Sequence, residues 1–231
     1  MKMKFLFQVP LFLFLTSFTL PTQIDYGKIK GGTCGNTNET YWNLGALAFN
    51  GSPELATIFT YLKHAYNIKT VVETGTFQAN STVFFSYLFD EVHTIEIDRD
   101  THLKAIKKFP LLSHVHFHLG SSDDVLKFLL PKLSKEPVLF YLDAHWQKHW
   151  PLRNELIEIS KTHRDNCIIV IDDFKVPGRN DIPYDRFGAN ACSYPYIQSQ
   201  LELVFSEYTM HFIIPKHPSG RAKFLAIPTS L

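Results

Sequence analysis

The sequence predicts one α/β domain, a mostly parallel sheet of seven strands with helices on both faces. Three observations predict it. Short β-branched runs alternate with segments of helical periodicity, the pattern of repeated βαβ units. The first full unit, Val71 to Phe89, passes from an apolar strand through a turn at Gly75 into an apolar segment. Four strands end in acid: Glu73, Glu96, Asp143 and the pair Asp172-Asp173. In open α/β sheets the carboxyl ends of the strands border the ligand crevice, so these acids mark the candidate site.

The bulk numbers set the limits. The chain has 231 residues, 45% hydrophobic and 19% charged, enough for one sizeable core. Its 23 Lys+Arg balance 22 Asp+Glu, so no electrostatic case exists for a nucleic-acid partner. Cys34, Cys167 and Cys192 do not make a disulfide framework. Cys167 opens an apolar strand and reads as a buried small hydrophobe, whereas Cys34 and Cys192 sit in polar loops and are close enough in character to pair.

In chain order, Lys2 and Lys4 precede an apolar run, Phe5 to Leu20, too short for a comfortable membrane span. This outline is that of a signal peptide, with a signal anchor or an amphipathic leader as competing readings. The expected division is residues 1–20 as leader, 21–51 as lead-in and 52–231 as the domain. An anchor would leave the domain membrane-associated on the cytoplasmic side, while cleavage would export it. The sequon Asn80-Ser81-Thr82, inside the proposed ligand loop, argues against export. Ser52-Pro53-Glu54 reads as a helix start, followed by Leu55, Ile58, Phe59, Leu62 and Ala65 at helical spacing.

The turn after Glu73 decides the ligand. A dinucleotide fingerprint wants three glycines, and only Gly75 is present. Phe77 stands at the second glycine's place, where it would crowd a pyrophosphate, and Ala79 at the third. A carboxylate at Glu73 suits a cationic ligand better. Ser81 or Thr82 is the expected cap of the next helix. Glu-Thr-Gly-Thr-Phe resembles the first motif of class I S-adenosylmethionine (SAM)-dependent methyltransferases, a Rossmann-like family with strand order 3-2-1-4-5-7-6. The resemblance implies that Glu73, Gly75, Thr76, Phe77 and Ser81 surround the amino-acid part of SAM.

Val92 to Asp98 is the second strand. Its Ile-Glu-Ile-Asp ending resembles the family's second motif, which implies Glu96 as the ribose ligand. Asp98 and Asp100 then cap a helix from Thr101 to Phe109. Val115 to Leu119 is the third strand. His114, His116 and His118 alternate along it and are expected to share a face. They read as polar residues of an edge strand, with a metal site as the alternative. Gly120 to Asp124 resembles the adenine-binding turn of catechol O-methyltransferases, implying contacts from Ser122 and Asp123. Capping by Asp123 of a helix from Val125 to Leu133 is compatible with that role.

Two buried strands follow, Val138 to Asp143 and Cys167 to Asp172, joined through a helix from Leu152 to His163. As a right-handed βαβ unit they set Asp143 and Asp172 at one edge. Like charges so placed need neutralising, by a divalent cation or by Lys148, Arg153 or Lys175. Asp143 with His145-Trp146 after it, then Asp172-Asp173, resembles metal-dependent O-methyltransferases of the catechol and macrocin/aminocoumarin-sugar types. That implies Asp143, Asp172 and Asp173 as magnesium ligands and a small hydroxylated molecule as methyl acceptor. It also implies His145 and Trp146 beside the cofactor. Inserted Ala144 moves the catechol-type lysine position onto Gln147, so His145 is the candidate base, with Lys148 as runner-up.

Val176 to Pro195 reads as a substrate lid, with Tyr184, Arg186 and Tyr194 as candidate contacts. A helix from Pro195 to Phe205 and two closing strands, Tyr208 to Ile214 and Lys223 to Ile227, complete the chain. The rival functions are a catalytically silent methyltransferase-like module at a membrane and, disfavoured by the missing glycines, a nicotinamide-dependent oxidoreductase.

Overall fold

A computed structural model describes residues 45, 47–49, 54–108, 112–144, 150–214 and 220–231. All belong to one compact unit, Asn38–Leu231. The leader, Cys34, His145, Trp146, Gln147 and Lys148 lie outside the described residues.

The elements run α1 (Glu54–Ala65), β1 (Thr70–Thr74), α2 (Asn80–Leu88), β2 (Glu91–Glu96), α3 (Arg99–Lys108) and β3 (Val115–Leu119). Next come α4 (Ser122–Leu129), β4 (Val138–Leu142), α5 (Leu152–Thr162) and β5 (Cys167–Ile171). A small hairpin, β6 (Arg186–Phe187) and β7 (Asn190–Ala191), precedes α6 (Tyr194–Val204), β8 (Tyr208–Ile213) and β9 (Lys223–Pro228). The main sheet has the order β3-β2-β1-β4-β5-β9-β8. Setting the hairpin aside, this is the expected 3-2-1-4-5-7-6. The hairpin itself lies inside the segment expected to be an irregular lid.

β1, β4 and β5 are buried throughout, as central parallel strands covered on both faces must be. Alternation divides their side chains. Val72, Ile95, Phe140, Leu142, Ile169 and Ile171 pack on Leu126, Leu156, Ile159 and Leu201 of α4, α5 and α6. The opposite face carries an aromatic cluster in which Phe59, Phe84 and Phe85 of α1 and α2 surround Phe49 and Tyr141. Register pairs Glu73 with Thr94 and Tyr141, and Tyr141 with Val170. Residues two apart share a face, so Glu73, Tyr141, Asp143 and Asp172 all face this aromatic layer's side of the crevice.

Two local expectations are corrected. Cys192 is fully buried and free rather than exposed in a polar loop. The bend of β7 into α6 folds it into the main core. His114 precedes β3 and its Nε2 lies 2.9 Å from the Ser86 carbonyl oxygen of α2, so only His116 and His118 share a strand face.

Candidate functional site

The site grows from the turn after β1. Gly75 has φ +86°, and a Cβ there would stand 2.5 Å from the Asp143 carbonyl oxygen. Only glycine lets this turn press against the end of β4. The Gly75 and Thr76 N–H groups both donate to the Ile95 carbonyl, at 2.9 and 3.1 Å. Phe77 and Ala79 follow with φ of 44° and 60°. The backbone thus makes, with side chains present, the left-handed bends for which a dinucleotide fingerprint uses glycine. Such conformations cost about 1–3 kcal/mol each and concentrate at functional loops. The Phe77 side chain is largely exposed.

Glu73 is fully buried. Its Oε2 accepts from Thr82 at 2.5 Å and from Thr94 at 2.7 Å. Thr76 is turned inward too, its hydroxyl 2.6 Å from that of Thr94. Burial raises the Glu73 pKa, and the hydroxyls of Ser81, Thr82 and Thr94 pull it back. Glu73 Oε1 has no hydrogen-bond partner. The helix-cap expectation for Ser81 or Thr82 fails: the N-cap is Ala79, without a side-chain bond. Thr82 is spent on Glu73 because the buried carboxylate needs a donor more than the solvent-facing helix end does.

Glu96 ends β2. Its Oε2 accepts from the Phe77 N–H at 2.8 Å and its Oε1 from the Asp98 N–H at 2.9 Å. The carboxylate therefore braces the β1 turn, and each oxygen keeps a second lone pair. Asp98 caps α3 as expected, accepting from the Thr101 N–H at 2.8 Å, whereas Asp100 lies inside the first turn of α3 and does not cap it. Ser122 opens α4 with its hydroxyl buried and near the Glu155 carboxylate, whose pKa it lowers. Asp123 lies in the first turn of α4 and is not its N-cap, which is Ser121. Asn154 Nδ2 and the Ser121 hydroxyl donate to Asp123 instead.

The acids at β4 and β5 come together. The Asp172 N–H donates to the Leu142 carbonyl at 3.0 Å, which brings the two strand ends level. Asp172 is buried and accepts from the Tyr141 hydroxyl and from the Asp173 N–H. It forms an ion pair with Lys223. Asp173, in a left-handed conformation with φ 52°, accepts from Arg221 at 2.7 Å, and Asp185 shares the same guanidinium. Among the described residues the neutralising cations are thus Lys223 and Arg221, not Arg153 or Lys175; Lys148 lies outside them. Arg153 is bonded to Gln200, and Lys175 lies over the Tyr184 ring.

Charge crowding is visible in the pKa shifts. Burial, then Asp172 and Asp173, pushes Asp143 well above the usual carboxylate range. Burial and Asp172 raise Asp173 to about 7. Burial also opposes ionisation of Asp172, but Lys223 together with the hydrogen bonds from Tyr141 and Asp173 outweighs it and the net shift is downward. Lys223 is itself buried, and its two aspartates hold its pKa up against that burial.

Tyr184 and Arg186 stay at the surface, the Arg186 guanidinium 4.8 Å from the centre of the Tyr184 ring. Tyr194 opens α6, its hydroxyl 3.0 Å from that of Tyr208. Glu155 was absent from the sequence reading. It is buried on α5, its Oε1 has no partner, and burial raises its pKa to about 7. The available signal was an acid falling on the apolar stripe Leu152, Leu156, Ile159.

No family model matches the chain, and no curated protein matches it. Solved structures do. The O-methyltransferase TomG from Streptomyces achromogenes, in complex with SAM, is 18% identical over 82% of this chain and 89% of its own, with a TM-score of 0.57. An O-methyltransferase from Bacillus cereus, in complex with SAH, is 18% identical over 85% and 92%, with a TM-score of 0.56. CalS10, an amino pentose methyltransferase from Micromonospora echinaspora, is 13% identical over 86% and 99%, at 0.54. Likeness at these identities speaks for the fold, and it agrees with the strand order and the turn built on Gly75. The chain has the class I fold of SAM-dependent methyltransferases.

Proposed function

We propose that this protein is a SAM-dependent methyltransferase acting on an oxygen of a small hydroxylated molecule. One observation carries the reading. Glu73 Oε1, in the motif that resembles the turn around the amino-acid part of SAM, is buried without a hydrogen bond of ordinary geometry. Buried polar groups are otherwise almost always paired, so unpaired ones at a crevice fit a polar ligand. On this reading Glu73 and the Gly75–Phe77 turn face the amino-acid part of SAM, Glu96 accepts the ribose hydroxyls, and Ser122 and Asp123 face adenine. Ser81, His145 and Trp146 belong to the same cofactor assignment.

The acceptor then lies at the Asp143, Asp172 and Asp173 edge, bordered by Tyr184, Arg186 and Tyr194. Its hydroxyl proton passes to His145, or to Lys148. A hard divalent cation there is carried by the resemblance and by the crowding of acids; among the described residues the ligand spacing of an ion is met at Glu91, His93 and His116 and not by these aspartates as they stand, with Asp172 turned to Lys223 and Asp173 to Arg221. Among the described residues Asp143, Asp172, Asp173 and Asp185 outnumber Lys223 and Arg221, and burial, then the neighbouring acids, raises Asp143 and Asp173. Magnesium held by Asp143, Asp172 and Asp173 would supply Lewis-acid stabilisation of the acceptor oxygen. Lys223 keeps Asp172 ionised and positioned. Residues 1–20 are assigned to targeting, separable from the domain. Among the described residues no helix is long and apolar enough to cross a membrane.

The test is calorimetric titration with S-adenosylhomocysteine. Wild type should bind, and Glu96→Ala should lose about 1.5–3 kcal/mol, the worth of a hydrogen bond to a charged group. Binding of NAD in place of S-adenosylhomocysteine would overturn the reading.

A further inference from the structure

A second cluster of chemistry-bearing side chains sits toward the amino ends of β2 and β3, away from the acid edge. Glu91 and His93 are two residues apart on β2 and share a face. Register sets His93 beside His116 of β3, and Ile95 beside His118. His93 Nε2 lies 3.1 Å from Glu91 Oε1, and His116 Nε2 lies 3.8 Å from the same oxygen. One ligand atom from each of Glu91, His93 and His116 falls within 4.8 Å of the others. The His116 and His118 rings stack on His93, with centroids 4.8 and 5.3 Å away.

We propose that Glu91 Oε1, His93 Nε2 and His116 Nε2 form a binding site for a divalent transition-metal cation, with Zn2+ as the reference ion. Two imidazoles and a carboxylate suit zinc, nickel, cobalt or copper, whereas magnesium prefers oxygen ligands alone. Three protein ligands leave the fourth tetrahedral position to water.

The surroundings are those of a held ligand set. Metal-binding side chains are oriented by a second hydrogen bond to their other atoms. Glu91 Oε2 is taken by the Thr70 hydroxyl at 3.2 Å, which leaves Oε1 toward the histidines. His93 Nδ1 is 3.0 Å from His118 Nε2. For His93 to offer Nε2, its single proton must sit on Nδ1 and be accepted by His118. A bound cation then lies between His93 Nε2 and Glu91 Oε1, with the imidazole proton on Nδ1 toward His118, and it ties β2 to the edge strand β3.

The tag-free full chain, stripped with a chelator, is titrated with Zn2+ in a calorimeter and with Co2+ by visible absorption. With excess Mg2+ present to occupy the acid edge, one Zn2+ or Co2+ per chain, visible Co2+ bands and a higher melting temperature are expected. His116 is exposed, so His116→Ala should fold and should weaken Zn2+ at least tenfold. His93→Gln tests the second ligand where it folds, and His116→Ala decides where it does not. His114→Ala, whose ring is bonded to α2 instead, and Asp143→Asn, at the other end of the sheet, should bind Zn2+ as wild type does. The proposal is overturned by absence of saturable Zn2+ binding, by binding that survives His116→Ala, or by binding that disappears with Asp143→Asn. The cofactor titration above uses neither cation, so the two readings stand or fall separately.

Discussion

Lys223 stands opposite Asp172, one step beyond the last antiparallel pair, Ile171 with Phe224, and the two form a buried ion pair. The closing strand therefore delivers a cation to the acid edge built by the parallel strands. Burying two charges is worthwhile only when each is fully compensated. Here the Tyr141 hydroxyl and the Asp173 N–H complete the shell of Asp172.

Removing one partner should be severe. Lys223→Met leaves Asp172 buried beside two other acids and should cost about 3–5 kcal/mol in urea denaturation. The double variant Lys223→Met with Asp172→Asn should recover a large part of that loss. Equal stabilities for the single variant and wild type would show the pair to be energetically idle.

The same cluster predicts a response to magnesium. Thermal melts of wild type should shift upward with Mg2+ or Ca2+, because a cation that binds only the folded state stabilises it. Asp143→Ala should abolish the shift while S-adenosylhomocysteine binding survives. A wild-type melt indifferent to Mg2+ would mean that Lys223 and Arg221 complete the neutralisation without a metal.

Glu155 predicts a pH dependence. Burial raises its pKa from the ordinary carboxylate range to about 7, while the Ser122 and Thr74 hydroxyls oppose that shift. Between the two values the folded chain holds a proton that the unfolded chain has released. Stability contributed by the protonated form is full at low pH, falls as pH rises toward about 7, and is flat above. Glu155→Gln keeps the shape and cannot ionise. It should match wild type near pH 4 and exceed it by on the order of 3 kcal/mol at pH 8. A constant difference at every pH would remove Glu155 as the titrating group.

Gly75→Ala should fail at the backbone. Its Cβ would meet the Asp143 carbonyl at 2.5 Å, and φ is +86°. Strain of about 1–3 kcal/mol is expected from the conformation alone. Relief would come by moving the turn, so S-adenosylhomocysteine binding should weaken more than stability does. Unchanged affinity would show that the turn does not frame the ligand.

Much of this was written locally. Strands β1, β4 and β5 are legible because central parallel strands must be apolar on both faces, and Val71-Val72, Val138 to Leu142 and Cys167 to Ile171 are. The acids Glu73, Glu96, Asp143 and Asp172 are legible as strand ends, and Gly75 as the turn, because residue type at a chain reversal is a local constraint. The sheet order followed from the resemblance those motifs carry.

Only the tertiary structure decided which groups meet. Lys223 and Asp172 are far apart in the chain, and their pairing depends on the register of β9 against β5. Arg221 reaches Asp173 and Asp185 for the same reason. Thr82 looks like a helix cap by sequence, yet folding sets the buried Glu73 within its reach, and the stronger demand takes the hydroxyl. His93 joins His116 and His118 through parallel register, while His114, one residue before the strand, turns to α2. Local sequence determines conformation and burial, because propensity and periodicity act within a few residues. Charge compensation and ligand geometry arise between strands, because they depend on register, which only the assembled sheet defines.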